Sequence, residues 1–192
     1  MKQFNVGKKQ KGNMLLNIAI ALVITAVLAA IGIPKLLDYL VEGAVPSVAE
    51  EIQRFVGRTQ VSNNGNGTAP YTGLNQTYFA RAVRGSALQV GAVAGQGTGG
   101  TVVRHGLGGD AAGTIVLTNA ATTFTLTFNN VSQAACPGLA TSLQKTFDNI
   151  TINGTAVKVT AADRTITQGY VAAGAAAQCV DGELNTFVFL AR

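Results

Sequence analysis

The sequence predicts an α+β protein, with one long N-terminal helix packed on a C-terminal antiparallel β-sheet head. Three observations carry that class. Met14 to Ile33 (MLLNIAIALVITAVLAAIGI) is twenty residues without a formal charge. From Lys35 to Gln60 apolar residues recur at three- and four-residue spacings, the period of an amphipathic helix. From Thr114 onward threonines alternate with large apolar residues, and an Asn-Gly pair divides two short apolar runs, which is how strands and a tight hairpin read.

The uncharged run is long enough to cross a bilayer as one helix, because about 20 residues rising about 1.5 Å each cover a hydrocarbon core of about 30 Å. It follows a basic leader, MKQFNVGKKQKG, with Lys2, Lys8, Lys9 and Lys11 and no acid. The chain has 14 basic and 9 acidic side chains, a net +5; beyond the leader ten basic residues face nine acidic ones, a net +1. The basic balance is therefore a topogenic signal that holds the N-terminus in the cytoplasm, and the remainder is expected to be exported. Phosphate binding needs Lys and Arg clustered on one face, so no direct nucleic-acid partner is expected. An ordinary secretory signal has an apolar region of about 7 to 15 residues followed by a small-residue cleavage site. Here the apolar run is longer and the polar break, Gly12-Asn13, comes before it, so the helix is expected to survive processing.

Past the run, Leu36, Leu37, Leu40, Val41, Val48, Ile52, Phe55 and Val56 form one predicted stripe, with Asp38, Glu42, Glu50, Glu51, Arg54 and Arg58 on the other positions. Pro34, Gly43 and Pro46 interrupt the pattern, which predicts a bent, spindle-like helix. Ser62 to Pro70 (SNNGNGTAP) is turn chemistry and ends it. Leu74 to Val83 reads as a short helix, whereas the glycine-rich interval Gly85 to Gly113 specifies little. Thr114–Thr118 and Thr123–Asn129 then read as half-buried strands, and Cys136–Phe147 as a helix with Pro137 near its start. Ile150–Val159 reads as a hairpin about Asn153-Gly154, and Asn185–Leu190 as a last strand.

Cys136 and Cys179 are the two cysteines. In an oxidising exported setting an even count predicts a bridge, with free buried thiols the alternative. Closing that loop removes chain entropy equivalent to about 3 to 4 kcal/mol.

The residues exclude most chemistry. Gly95, Gly97 and Gly100 satisfy G-x-G-x-x-G, but no strand precedes them and no helix follows, so a flexible loop is the expectation and no cofactor is predicted. His105 is the only histidine and has no neighbouring ligand cluster for a metal or a triad. Asp110, Asp148, Asp163, Asp181 and Glu183 are scattered, as solvated loop residues are, and no catalytic set emerges. Five N-x-[ST] sequons, at Asn66, Asn75, Asn130, Asn149 and Asn153, follow from the Asn- and Thr-rich composition.

The order basic leader, Gly12, then LAAIGIPKLLDYL from Leu28 to Leu40, with Asp38-Tyr39 at the matching distance, resembles the N-terminus of type IV pilins and related pseudopilins. The resemblance implies the type IV pilin fold and a division into a leader at 1–12, a hydrophobic then amphipathic helix at 13–60 and a globular head at 61–192. It implies that a prepilin peptidase cuts between Gly12 and Asn13 and that Asn13 becomes the N-methylated first residue. Most major pilins carry a glutamate where this chain has Asn17, a carboxylate that can pair with the N-terminal amine of a neighbouring subunit. An asparagine can accept a hydrogen bond from that amine without neutralising it, or can be a tolerated amide among packed helices. The resemblance assigns Asn17 and Pro34 to filament assembly and the Cys136–Cys179 bridge to pinning the C-terminal region to the head. The order TFTLTFNNV, Cys136, LATSLQKTFDNITING, Cys179 and NTFVFL, with His105 to Gly109 before it, is most like type IVb pilins of thin conjugative or colonisation pili.

The implied function is a structural subunit, polymerised through its N-terminal helix into a surface filament for adhesion, motility or conjugation. Its implied partners are further copies of itself, the prepilin peptidase, the inner-membrane assembly platform with its ATPase, the membrane before assembly, and a host or recipient-cell receptor. The implied location is the bacterial inner membrane as a single-pass prepilin with a cytoplasmic N-terminus, then the extracellular pilus. A minor pilin, tip adhesin or secretion-system pseudopilin is the alternative, and a single-pass membrane enzyme or sensor is a further one.

Overall fold

The computed structural model describes residues 12–63, 65, 67–91 and 100–192, leaving aside the side chains of residues 12, 13 and 32–34. The leader up to Lys11 and the glycines Gly95 and Gly97 lie outside the described residues. The chain divides into two compact units, one ending at Leu37 and one beginning at Asp38. Helix α1, Gly12–Asn63, contributes to both, and its helical backbone continues through Pro34, Gly43 and Pro46. A proline costs a helix one backbone donor. That loss does not end α1, which stops three residues later than the expected boundary at residue 60.

In the first unit every described side chain from Met14 to Ile31 is exposed, among them Leu15 at 74% and Leu22 at 64%. Asn17 and Thr25 are the polar side chains on an otherwise apolar surface, and the Thr25 hydroxyl donates back to the carbonyls of Ala21 and Leu22, both at 3.0 Å. The expected apolar stripe divides: Leu36, Leu37 and Leu40 are exposed, whereas burial begins at Val45 and takes in Val48, Ala49, Ile52, Phe55 and Val56. Glu51, expected on the polar side, is buried and paired with Arg54 at 2.8 Å.

The second unit has its own core. After α1 come α2 (Gln76–Ala82), capped by the Asn75 side chain accepting from the Tyr78 N–H, then β1 (Gln89–Gly91) and β2 (Val102–Arg104). A 3₁₀ turn at Asp110–Ala112 leads to β3 (Thr114–Asn119) and β4 (Phe124–Val131). Next are α3 (Cys136–Leu143), β5 (Asn149–Ile152), β6 (Thr155–Thr160), β7 (Ile166–Gln168), α4 (Ala172–Ala176) and β8 (Asn185–Ala191). The strands form an antiparallel sheet in the order β1-β2-β3-β4-β8-β5-β6-β7. The last strand is thus central, between β4 and β5.

Alternation places the apolar half of each strand inward. Phe124, Leu126 and Phe128 of β4 and Phe187, Phe189 and Ala191 of β8 are all 0% exposed. Against them lie Phe55 of α1 and Phe79 of α2, with ring centroids 4.8 Å apart. Helix α3 packs on α1 at Gly138, where a Cβ would make an ordinary van der Waals contact with Val45 at 3.5 Å. Asn153 and Gly154 join β5 to β6 with φ of +50° and +84°, the two left-handed residues a type I′ turn requires.

The interval that said least in sequence is tightly built around His105. The Leu107 N–H donates to its Nδ1 at 2.9 Å, so the ring proton resides on Nε2, which lies 2.8 Å from the Asn129 carbonyl it donates to. The ring is buried and stacks on Phe128. Gly109, with φ +73°, approaches Asn130 so closely that a Cβ would stand 2.6 Å from the Asn130 Cβ. Asn130 itself is left-handed and marks the bulge in β4 between Phe128 and Val131.

Burial holds the His105 pKa below the usual histidine value, against smaller opposing effects from the Asn129 carbonyl and Glu183. The unfolded chain therefore takes up a proton near pH 6.5 that the folded head refuses, and stability is lost as pH falls below that value. The Asp163 carboxylate is held down chiefly by the Thr165 N–H, so its own titration lies below this window. The thermal midpoint of the wild type should fall more steeply from pH 7 to pH 5 than that of His105→Gln. Parallel pH profiles would show that His105 does not govern this window.

Candidate functional site

No enzyme-like cluster is present among the described residues, where no three His, Cys, Asp or Glu side chains gather as metal ligands would. Two regions instead carry functional character, one in each unit.

The first is the exposed apolar part of α1. Eleven large apolar side chains between Met14 and Ile31 are 46% to 74% exposed, all round the helix. An 18-residue segment of this kind spans about 27 Å. Asn17 is exposed among them and is the one amide side chain in the run. Gly12 and Asn13 are the first residues of the helix. Sequence reasoning grouped Gly12, Asn13, Asn17 and Pro34 as processing and assembly residues, and all four lie on α1.

The second is the region closed by Cys136 and Cys179, which form a disulfide with their Cα atoms 6.0 Å apart. Cys136 opens α3 and is buried, and Cys179 follows α4. The Thr141 hydroxyl of α3 also lies 3.0 Å from that of Tyr170, just ahead of α4. At the C-terminal end of α3, the Lys158 ammonium donates to the carbonyls of Gln144 and Phe147, both at 2.6 Å, where a cation complements the helix dipole.

Beside the disulfide lies an amide hub that sequence reasoning missed. Asn185, fully buried, donates through Nδ2 to the carbonyls of Val131 (3.1 Å) and Val180 (2.9 Å). Its Oδ1 accepts from the Val180 N–H and from Asn153 Nδ2. Asn153 also donates to the Gln178 carbonyl at 2.7 Å and accepts from the Thr186 N–H at 2.8 Å. The start of β8, the end of β4, the β5–β6 hairpin and the chain just past Cys179 are therefore stitched by two asparagines. The Asn-Gly pair signalled the hairpin, but nothing in the local pattern marked either side chain as a clamp.

The sequence matches the family described as PilS N terminal over residues 47–192, most of the chain. Among solved structures, it is similar to a type IV b pilin from Salmonella typhi, at 20% identity over 75% of this chain and 96% of that one, with a TM-score of 0.47. It is also similar to TcpA, a type IV pilin from Vibrio cholerae El Tor biotype, at 14% identity over 78% of this chain and 99% of that one, with a TM-score of 0.45. No curated protein matches the sequence at a significant level.

Replacing Asn185 by Ala strands at least two backbone partners in the core, each unmet buried group costing about 1 to 3 kcal/mol. Asn185→Ala should lower the thermal midpoint by about 5 to 15 °C with the disulfide intact. A midpoint within about 2 °C of the wild type, on the same scale, would show that the hub is not what holds the start of β8.

Proposed function

Because the chain belongs to the PilS family and is a type IV pilin, we propose that it is the structural subunit of a pilus, cut by a prepilin peptidase between Gly12 and Asn13, N-methylated at Asn13 and polymerised through α1. The observation that carries this reading is the run of exposed apolar side chains from Met14 to Ile31 on a chain whose head folds around a separate core. Such a surface suits two environments, lipid and the matching surfaces of other copies. Transfer from one to the other leaves solvation nearly unchanged, so an assembly motor can extract the subunit at modest cost.

In this reading the leader keeps the N-terminus cytoplasmic, the subunit waits in the inner membrane as a single-pass prepilin, and the pilus is extracellular. The peptidase, the assembly platform and its ATPase are its partners in turn. The filament would serve adhesion, motility or conjugation, and its class is that of type IVb pilins. Within the filament Asn17 receives a hydrogen bond from the N-terminal amine of a neighbouring copy, in the place where most major pilins have a carboxylate. The missing charge is also the observation that favours a second reading, a minor or tip-located subunit, in which that docking contact is weaker.

N-terminal sequencing of sheared surface filaments should find N-methylated asparagine followed by Met14; a chain retaining Met1 would overturn the processing step. Abundance in the same preparation separates the two readings, since a trace component cannot be the structural subunit. Asn17→Ala should reduce filament yield several-fold while leaving cleavage intact, and unchanged yield would remove Asn17 from the docking contact.

A further inference from the structure

Apart from α1 and the disulfide-closed region, the head carries a polar groove of about 900 Å³, lined by Gln60, Tyr71, Thr146, Asp148, Arg164 and Arg192 among others. Its size falls within the range of about 300 to 1,000 Å³ typical of small-molecule sites. Two of its charged groups, Asp148 and Arg192, are held in place by hydrogen bonds. The Arg192 guanidinium donates to the carbonyls of Thr160 at 3.0 Å and Ala161 at 3.4 Å, both neutral acceptors, so it is oriented without being neutralised. Its backbone N–H donates to Asp148 Oδ2 at 2.9 Å, and Gln60 Nε2 donates to the Arg192 main-chain oxygen at 2.9 Å. Arg164 occupies the turn between β6 and β7 in the left-handed region, with φ +68°. That turn is closed by the Ala161 N–H on the Thr165 carbonyl and the Arg164 N–H on the Ala161 carbonyl.

Among the described residues both ion pairs belong to Arg54, and the Arg164 guanidinium has neither a hydrogen-bond acceptor nor a carboxylate partner. Burial raises the pKa of the Tyr71 hydroxyl, the Asp148 carboxylate adds to the rise, and Arg164 opposes it, so the three groups act on one another across the groove. A free guanidinium in a water-accessible groove seeks a carboxylate or phosphate. Asp148 decides between these. A carboxylate within the groove opposes a multiply charged phosphate, yet it accepts hydrogen bonds from hydroxyl groups, as Gln60 and Thr146 also can.

We propose that this groove binds a carboxylated carbohydrate, with Arg164 pairing the carboxylate while Gln60, Thr146 and Asp148 hold the sugar hydroxyls. The turn between β6 and β7 then acts as the arm that presents the cation. Its left-handed Arg164 is a backbone conformation that a non-glycine residue adopts at a cost, as happens at ligand clamps.

The test is titration of the full chain in detergent micelles with 3′-sialyllactose, lactose and inorganic phosphate. The wild type should bind sialyllactose and bind lactose at least about tenfold more weakly, the effect of losing one charge-assisted pair. Arg164→Gln should lose sialyllactose binding by a similar factor, while Arg84→Gln, an exposed arginine outside the groove, should not change it. Arg164→Lys keeps the charge without the planar fork and should fall between; if Arg164→Gln fails to fold, this variant decides. The proposal is overturned if sialyllactose does not bind, if phosphate binds as tightly as the sugar acid, if Arg84→Gln weakens binding as much as Arg164→Gln, or if both Arg164 variants bind like the wild type.

Discussion

The constraint on which everything else depends is that the apolar first half of α1 cannot remain in water. Eleven large side chains are exposed between Met14 and Ile31, and at about 1.5 to 3 kcal/mol for burying each one the unmet hydrophobic free energy is on the order of 20 kcal/mol. That exceeds the roughly 5 to 15 kcal/mol by which a domain is ordinarily stable. No rearrangement of a small head could offset it. The segment must therefore always be covered, by lipid or by protein, and a subunit passing between those two covers is the economical way to keep it so.

The head answers a different constraint, since it must hold its shape outside the membrane without help from that segment. It does so with a core of its own, in which Phe55, Phe79 and Phe124 meet edge to face and the last strand is the centre of the sheet. Making β8 central fastens the end of the chain between β4 and β5. The segment between Cys136 and β8 has short helices and an edge strand, β7, that is exposed throughout. A disulfide and two interlocked asparagines hold what apolar packing alone does not. The buried neutral imidazole of His105 does the same for the glycine-rich turn ahead of β3.

Much of this was legible in the residues, and the boundary of legibility has physical causes. Periodicity carries long amphipathic elements, so α1, β3, β4, β8 and the Asn153-Gly154 hairpin could be read directly, and the disulfide followed from an even cysteine count in a chain expected to be exported. Three-residue strands such as β1, β2 and β7 give no period to detect. The helix α4, AAGAA, has no apolar face to read. Pattern also overstated the buried stripe, because Leu36, Leu37 and Leu40 repeat with Val48 and Ile52 although burial begins only at Val45. Spacing cannot tell a surface covered by the chain itself from one left for another molecule. The clamp residues Asn153 and Asn185 were invisible for a related reason: apart from Val180, five residues before Asn185, their partners are 25 to 54 residues away in sequence.

The most direct test of the account is a filament reconstruction from sheared pili by electron cryomicroscopy. The account predicts that Met14 to Ile31 lies at the filament axis, with each of the now exposed side chains against α1 of another copy and Asn17 within hydrogen-bonding distance of a neighbouring N-terminus. A filament joined through heads alone, with that segment absent or facing solvent, would contradict it.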